Sequence, residues 1–351
     1  MTPSPLPLEI YYRIIGHIAD RTELCSLSLC CIAFRDEAQG KLFRHVSKLG
    51  FIEQGKFLDA IIASPKRLAP MVKYCRMTEG TRVESEGVLM RDAASPALLL
   101  MCNLTTLRIR DEALSYIDIS ALLHCSFQLI TCEFGCLGGW DDVDPLLFTF
   151  LRTQSSLRHL TIHGNLAEST HKELFRDDPE WCPNIQSLSA KGSVICMFLA
   201  PHRHIQCLDW HYFSDTFGSS PLSKVKYLAF PVYNTAPNLS FLPRMTSLVL
   251  LDVSFFSYLE ISKTLRFLKR TPQLQYLIVT VFLIYTIPEP SATEIARAAF
   301  KLCPTLRHVD ISHTRGDSPT TFDRFYSPAI SGEMECKTQQ REDVYAWKAI
   351  P

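Results

Sequence analysis

The stretch LPLEIYYRIIGHIADRTELCSLSLCCIAFRDEAQGKLFRHV, residues 6–46, predicts three short helices in succession. Pro7 suits the first turn of a helix, where its missing N–H costs nothing. The isoleucines that follow it recur at helical spacing on one face. Asp20 or Thr22 provides a cap for a second helix. A third helix is expected over about residues 34–42, which completes a small helical segment at the N-terminus.

This stretch carries more apolar side chains than three packed helices bury among themselves. A segment of about forty residues buries too little surface to be stable alone without staples or a partner. Tyr11, Tyr12, Ile15, Leu27 and Leu29 do not all fit on inward faces. The surplus predicts a surface that docks on another protein. The alternative is that the helices only cap the domain that follows them.

Five short motifs follow one another in a fixed order within the same stretch. They are Leu6-Pro-x-Glu9-Ile10, Ile14-Ile15-x-x-Ile18, Leu24-x-x-Leu27-Ser28, Phe34-Arg35-x-x-Ala38 and Leu42-Phe43-Arg44-His45-Val46. In this order they resemble the F-box, especially the variant common in fungal proteins. Two features depart from that family: Cys30-Cys31-Ile32 replaces a Val-Ser-Arg-like run, and Phe43 stands where many members have Trp.

The F-box resemblance implies a role in binding an adaptor. F-box proteins generally hold the Skp-type adaptor of a cullin–RING ubiquitin ligase, and the rest of the chain holds the substrate. The residues that the resemblance implies at the adaptor contact are Leu6, Pro7, Ile10, Ile14, Ile15, Ile18, Leu24, Leu27 and Phe34.

Composition indicates a folded protein with balanced charge. The chain has 351 residues, of which 47% are hydrophobic and 11% aromatic, and its 36 Lys and Arg equal its 36 Asp and Glu. A neutral chain lacks the basic excess that binding to nucleic acid or to an anionic membrane requires. We expect no signal peptide, because Pro3, Pro5 and Pro7 interrupt any apolar run, and no membrane span. A cytosolic or nuclear protein with reduced cysteines is therefore expected.

From residue 72 onward a short motif recurs: an apolar residue, two others, an apolar residue, one other, an apolar residue. Its copies begin at Val72, Leu104, Leu129, Leu157, Ile185, Ile205, Val225, Met245, Leu274 and Leu306. The starts lie roughly 20 to 32 residues apart, close to the leucine-rich-repeat period. The last two apolar residues of each copy are two apart, so they share one side of a short strand. Each repeat then covers the core of its neighbour.

Helix-like stretches lie between most copies, and proline ends several of them just before the next copy. Pro183, Pro272 and Pro304 occupy such positions, where proline stops a helix and starts an extended segment. The alternation predicts an α/β fold. We expect an N-terminal three-helix F-box over residues 1–47, followed by an irregular leucine-rich-repeat solenoid over residues 48–315.

The last part of the chain, residues 316–351, breaks the repeat pattern. Residues 332–343 are polar and charged, a composition that predicts a mobile or loosely packed tail. Aromatic residues offer anchors between this tail and the end of the solenoid: Phe322, Phe325, Tyr326, Tyr345 and Trp347.

Residues that alternate with the buried ones along each strand are expected to form one outward surface. They mix Arg, His, Tyr and Asp, which supply anchors and directional hydrogen bonds at interfaces. We expect protein targets to bind this surface; the alternative places them on the loops or on the tail. The predicted target-binding residues are Arg108, Arg110, His159, His163, Lys191, Asp209, His211, Tyr227 and Tyr276.

Catalytic and nucleotide-binding motifs are missing from the sequence. It contains no phosphate loop, no Gly-x-Ser-x-Gly elbow and no His-Glu-x-x-His, so neither a cofactor nor a metal is expected. Cys207, Asp209 and His211, with His202 and His204 nearby, carry the donor types of a metal site or a Cys–His pair. We interpret them instead as ordinary residues of a strand face, because nothing else in the sequence completes such a site.

These patterns favour a non-catalytic, substrate-recognition subunit of a Skp–cullin–F-box ubiquitin ligase. The first alternative is a repeat scaffold without ligase function, whose N-terminal helices only close the end of the solenoid. The second is a hydrolase or redox enzyme that uses the face carrying Cys207 and His211.

Overall fold

The protein was studied as a computed structural model, which describes residues 7–46, 49–77, 93–109, 117–135, 145–164, 182–199, 203–211, 222–232, 239, 241–256, 261, 265–282, 291–314, 319–328 and 332–349. The chain divides into two units, Met1–Leu157 and Arg158–Pro351. The division lies inside the predicted solenoid rather than at residue 47 or 315. Within the ranges given above, no helix has the length and apolarity that crossing a membrane requires.

Three helices open the first unit where the sequence predicts them. They are α1 (Leu8–His17), α2 (Arg21–Cys30) and α3 (Ile32–Arg44). Asp20 caps α2, because its side-chain carboxylate accepts a hydrogen bond from the backbone N–H of Glu23 at 2.9 Å. This cap satisfies one of the donors that every helix start leaves unpaired.

A small apolar core joins these three helices. Four side chains are buried in it and four partly buried ones pack around them: Ile15, Leu24, Ala38 and Leu42, then Ile18, Leu27, Phe34 and Phe43. At the end of α1, the ammonium group of Lys41 donates to the backbone carbonyls of Gly16 and Ile18. These carbonyls lack partners within the helix, so Lys41 ties α3 to the end of α1.

The rest of the first unit alternates helices with four parallel strands. The strands pair in chain order: β1 (His45–Val46), β2 (Tyr74–Met77), β3 (Thr106–Ile109) and β4 (Thr131–Gly135). The helical segments are α4 (Phe51–Ala63), α5 (Pro65–Leu68), the 3₁₀ turn Ala69–Met71, residues 93–100, Ile119–Leu122 and Pro145–Arg152.

The second unit carries seven parallel strands and then two antiparallel ones. They are β5 (His159–His163), β6 (Ser187–Ala190), β7 (Cys207–Trp210), β8 (Tyr227–Val232), β9 (Leu250–Phe255), β10 (Tyr276–Phe282), β11 (His308–Thr314), β12 (Thr321–Tyr326) and β13 (Cys336–Gln340). The described helices are Gly192–Phe198, Ala292–Leu302 and Arg341–Val344, with 3₁₀ turns at Leu242–Arg244, Leu265–Arg270 and Ala346–Ala349.

The recurring apolar motif forms the core of the repeats. All three apolar residues of every predicted copy are buried. In the second unit the middle residues align across successive strands: Leu188 pairs with Leu208, and Leu208 pairs with Leu228. Leu277 continues the row and pairs with Val309. An α/β stack of leucine-rich-repeat-like strands therefore follows from the spacing that the sequence shows.

The predicted register of one copy was wrong. In β9 it is Leu251 that pairs with Leu228 and with Leu277, so this motif begins at Leu248, three residues after Met245. Leu250 lies on the opposite face of the strand, in a separate apolar cluster. A run of closely spaced apolar residues satisfies two registers, and the pairing with both neighbouring strands selects one of them.

The expectation of a mobile or loosely packed tail was also wrong for residues 319–328 and 332–349. β12 pairs antiparallel with β11, and β13 pairs with β12. Phe322, Phe325 and Trp347 are buried. An antiparallel strand at the end of a sheet tolerates polar side chains on a face open to solvent, so polar composition did not distinguish it from a loop.

Candidate functional site

The N-terminal helices keep large apolar side chains exposed after their own core is complete. Ile14 retains 52% of its accessible surface and Leu29 retains 86%. Ile10, Tyr12 and Ile32 are exposed as well. Apolar side chains concentrated on a small helical segment are typical of a surface that binds another protein.

The residues predicted to bind an adaptor fall into three classes in the structure. Exposed ones are Pro7, Ile10 and Ile14; buried ones are Ile15 and Leu24; partly buried ones that pack against the core are Ile18, Leu27 and Phe34. Leu6 lies outside the described residues. Ile15 and Leu24 stabilise the helices from inside and present almost no surface to a partner, which corrects their assignment as contact residues. Leu29 and Ile32, beside the α2–α3 junction, are also exposed; the sequence analysis placed Leu29 among the surplus apolar residues but neither residue among the predicted adaptor contacts.

In the first unit, Arg108 is held between neighbouring strands. Its guanidinium lies 5.7 Å from the ring centre of Tyr74 on β2, and its Nε lies 3.4 Å from Oε2 of Glu133 on β4. Arg110, the other arginine predicted for target binding, lies outside the described residues. Arg108 therefore presents a cation whose position is fixed by contacts from both sides.

In the second unit, the predicted target-binding face is occupied by the end of the chain. We call residues 341–349 the C-terminal segment, and the face of β7–β10 that carries Asp209, Tyr227, Asp252 and Ile278 the covered face. Val344 and Trp347 of the segment are buried in one cluster with residues of this face and of β12: Ala229, Leu250, Ile278 and Phe322. Cys207, Tyr227 and Tyr276 pack against the cluster.

Two contacts attach the segment at the predicted binding residues themselves. Lys348 Nζ donates to Asp209 Oδ2 at 3.0 Å, and the Trp347 ring stacks on Tyr227 with centroids 5.7 Å apart. Asp209, Tyr227 and Tyr276 are therefore engaged by the chain's own segment and are not an open surface for a target. Lys348 is 139 residues from Asp209 in the sequence, so no local sequence pattern predicts this contact.

A stacked histidine pair lies beside the covered face. The rings of His163 and His211 stack at 4.5 Å, and Ser189 Oγ lies 2.8 Å from His211 Nε2. Burial lowers the pKa of His211 to about 4, although the Asp209 carboxylate acts in the opposite direction. Lys191 is buried as well.

His159, the remaining predicted histidine, has a pKa lowered by burial and by Arg158.

The thiol of Cys207 is poorly suited to nucleophilic chemistry. Burial raises its pKa to about 11, so the thiolate that attacks substrates or binds metals is scarce at neutral pH. Among the residues that the structure describes, no three His, Cys, Asp or Glu side chains are placed to hold a metal ion. His202 falls outside those residues. The geometry of this face gives no support to the proposed alternative of a hydrolase or redox enzyme.

Asp252 is a buried carboxyl group beneath the C-terminal segment. It lies between Ala229 and Ile278 in the sheet register, and only 4% of its surface is exposed. Burial raises the pKa of Asp252 to about 7, and the charge of Asp209 adds to this effect. Lys348, Tyr345 and Arg341 of the segment oppose it.

We expect the free energy of unfolding to depend on the protonation of Asp252. Its carboxyl titrates near 3.8 when solvated and at about 7 in the folded chain. Between these values the folded state binds the extra proton, so the contribution of Asp252 to stability falls as pH rises towards 7. The full effect at pH 8 is at most about 4 kcal/mol. Asp252→Asn should therefore raise the unfolding midpoint at pH 8 and change it little near pH 4.

This prediction is checked by chemical unfolding of wild type and Asp252→Asn from pH 4 to pH 8. Buried His211 acts in the opposite direction below about pH 6.5, so the readout is the difference between variant and wild type. Asp323→Asn, at an exposed carboxylate on β12, is the matched control. A difference that does not change with pH would contradict the assignment of Asp252.

Comparison with known proteins yields structural similarities and no match in sequence. No protein family model matches the chain, and no curated protein matches it. Among solved structures it is similar to the leucine-rich repeat-containing protein LegL7 from Legionella pneumophila, at 14% sequence identity and a TM-score of 0.38. The match covers 76% of this chain and 80% of that one. The repeat architecture is shown by the chain's own strand register and buried motif residues.

Proposed function

We propose that this protein is a non-catalytic substrate-recognition subunit of a Skp–cullin–F-box ubiquitin ligase. Its N-terminal helices bind a Skp-type adaptor and, through it, a cullin. Its repeats bind the target protein. One observation supports the proposal. The N-terminal helices have a complete apolar core of their own, and they still expose large apolar residues, notably Ile10 and Ile14 on α1. These residues contribute little to the helices' own core, which makes them available to a partner.

The parallel strands support the assignment of target binding to the repeats. Side chains on parallel strands are held in fixed positions, so little conformational entropy is lost when a partner binds them. Arg108, fixed between Tyr74 and Glu133, is one such side chain. The protein itself performs no chemical step in this proposal. It raises the effective concentration of target lysines near a ubiquitin-loaded enzyme.

The proposal is tested by mixing the purified full chain with a purified Skp-type adaptor. We expect a stable one-to-one complex in size-exclusion chromatography with light scattering. Addition of cullin should then give a ternary complex. If the adaptor and the chain elute separately at micromolar concentrations, the ligase assignment is wrong.

A repeat scaffold without ligase function is the second candidate, and one observation favours it. The N-terminal helices continue directly into the first repeat, because Phe43 of α3 packs on Phe57 of α4 with ring centroids 5.8 Å apart. β1, which follows α3, also pairs with β2. Helices attached in this way can act simply as a cap for the strands, without binding an adaptor. Adaptor binding separates the two candidates, because only the ligase subunit forms the complex.

A further inference from the structure

The C-terminal segment is attached to the second unit in the way that a bound peptide is attached to its receptor. The β-ladder ends with Gln340. Beyond it, among the described residues, the N–H of Arg341 donates to the Thr320 carbonyl at 2.9 Å. The later backbone bonds, from Tyr345 to Arg341 and from Lys348 to Tyr345, lie within the segment. Side chains therefore hold the segment on the covered face, and it is able to leave without breaking the sheet.

The side-chain contacts have a simple chemical pattern. Two aromatic residues and one lysine make the aromatic and charged contacts, Tyr345, Trp347 and Lys348, and Val344 adds a buried aliphatic one. Tyr345 packs edge-on against Phe322, with ring centroids 5.6 Å apart, and Trp347 stacks on Tyr227. Aromatic side chains of this kind dominate the energetics of peptide and protein interfaces. Lys348 adds a charged contact that selects for a basic residue at that position.

The segment fits the covered face incompletely. The indole N–H of Trp347 and one carboxyl oxygen of Asp252 are buried and find no hydrogen-bond partner among the residues that the structure describes. The covered face also presents two carboxyl groups, Asp209 and Asp252, to the single ammonium group of Lys348. Unpaired buried groups weaken an interaction, so a different occupant with a second donor would bind more tightly.

Most other charged groups near the covered face are paired with one another, and Arg341 is the exception. Asp310 accepts two hydrogen bonds from Arg324, at 2.7 and 2.8 Å, so that pair neutralises itself. His163 and His211 form the stacked pair described above. Arg341, at the start of the segment, acts on both Asp252 and Lys348. The face beneath the segment is therefore apolar at its centre and acidic at Asp209 and Asp252.

We propose that the covered face is a peptide-recognition surface, and that the C-terminal segment occupies it as an internal competitor of the target. The ligand it takes is a target segment with two aromatic residues followed by a basic one. This inference rests on the proposed function and names the class of target for the repeat domain. The target must displace the segment before it binds.

The internal competitor sets the affinity that is observed. A tethered segment acts at an effective concentration of about millimolar. The apparent dissociation constant of an incoming peptide is its intrinsic constant divided by the fraction of molecules with an open face. Weakening the segment should therefore increase peptide affinity, whereas a purely structural segment would leave the affinity unchanged.

The test uses the full chain and a fluorescent synthetic peptide with the sequence of residues 341–349, REDVYAWKA. Two variants release the segment: Lys348→Glu, at an exposed position, and Trp347→Ala combined with Lys348→Glu. We expect fluorescence anisotropy to show at least about tenfold tighter peptide binding to the double variant than to wild type. Lys348→Glu should fall between them. Circular dichroism establishes that each chain is folded.

A charge exchange tests the contact itself. A peptide with Glu at the position of Lys348 should bind the double variant at least about tenfold more weakly than the original peptide. Adding Asp209→Lys to the double variant should reverse this preference. Arg266→Glu, on the 3₁₀ turn Leu265–Arg270 and exposed, is the matched charge control and should change nothing.

Three results of the peptide titrations would overturn the inference: no peptide binding to any released chain, equal binding to wild type and released chains, or a preference that Asp209→Lys does not reverse. A wild-type dimer that dissociates on Lys348→Glu would also overturn it, because the occupant would then belong to a second copy. Adaptor binding is measured in the same samples. If these chains bind the peptide as expected but do not bind the adaptor, the proposed ligase role is wrong and the peptide-recognition surface remains supported.

Discussion

Ile14→Asp should abolish binding of the Skp-type adaptor while leaving the N-terminal helices folded. Ile14 is exposed on α1, so an aspartate there is solvated in the free chain. At an interface the same carboxylate is buried without a partner, which costs several kcal/mol. Each 1.4 kcal/mol changes the dissociation constant tenfold, so we expect a loss of at least about a hundredfold. Titration calorimetry measures it, and Ile10→Asp should behave alike.

Two comparisons make this result specific. Ile62→Asp changes another exposed isoleucine of the same unit, on α4, and should keep adaptor affinity unchanged. Ile15→Ala changes the buried neighbour of Ile14 and should destabilise the helices by about 2–5 kcal/mol. Adaptor binding at the wild-type level by Ile14→Asp and Ile10→Asp would show that these helices bind no adaptor through α1.

Leu251→Ala should cost about 2–5 kcal/mol of the free energy of unfolding of the second unit. Leu251 is fully buried and lies in a central strand, with Leu228 on one side and Leu277 on the other. In a stack of repeats each unit is stabilised by its neighbours, so the cavity weakens the repeats on both sides. Chemical unfolding followed by tryptophan fluorescence measures the loss.

Leu250→Ala is the matched control, because it removes the same side chain one position earlier on the opposite face. Leu250 contacts the cluster beneath the C-terminal segment. We expect a smaller loss of global stability and faster tryptic cleavage at Arg341 as the segment loosens. If Leu250→Ala were the more destabilising change, the register of β9 would be wrong.

Local signals in the sequence were sufficient for the helices and for the repeat core. Pro7 and Asp20 mark helix starts by chemistry that acts within one turn. The repeat motif fixes which residues of a strand share a side, because the period of two belongs to the backbone itself. Such signals need no information about distant parts of the chain.

Neighbouring apolar residues were the first limit on prediction. Ile14 and Ile15 are both isoleucines in one helix, yet the first is exposed and the second is buried. Leu250 and Leu251 differ in the same way, since they face opposite sides of β9. Residue type alone predicts the same burial for two adjacent isoleucines or leucines. Only the surface against which the element packs decides which of them is buried.

Long-range contact was the second limit. The sequence identified Asp209, Tyr227 and Tyr276 as residues of one strand face. In the structure Tyr227 and Tyr276 pack against one cluster, and Asp209 pairs with Ala229 of that cluster in the sheet register. The sequence marked Trp347 as an anchor for the tail, but it gave no indication that Trp347 and Lys348 lie on these residues, because a contact across 139 residues leaves no local periodicity. The sequence alone thus determined the strands, their buried side and the composition of the opposite face. Only the tertiary structure decided what lies on that face. Ordering a distant segment there costs conformational entropy, and only the complementary surfaces of the folded strands offset that cost.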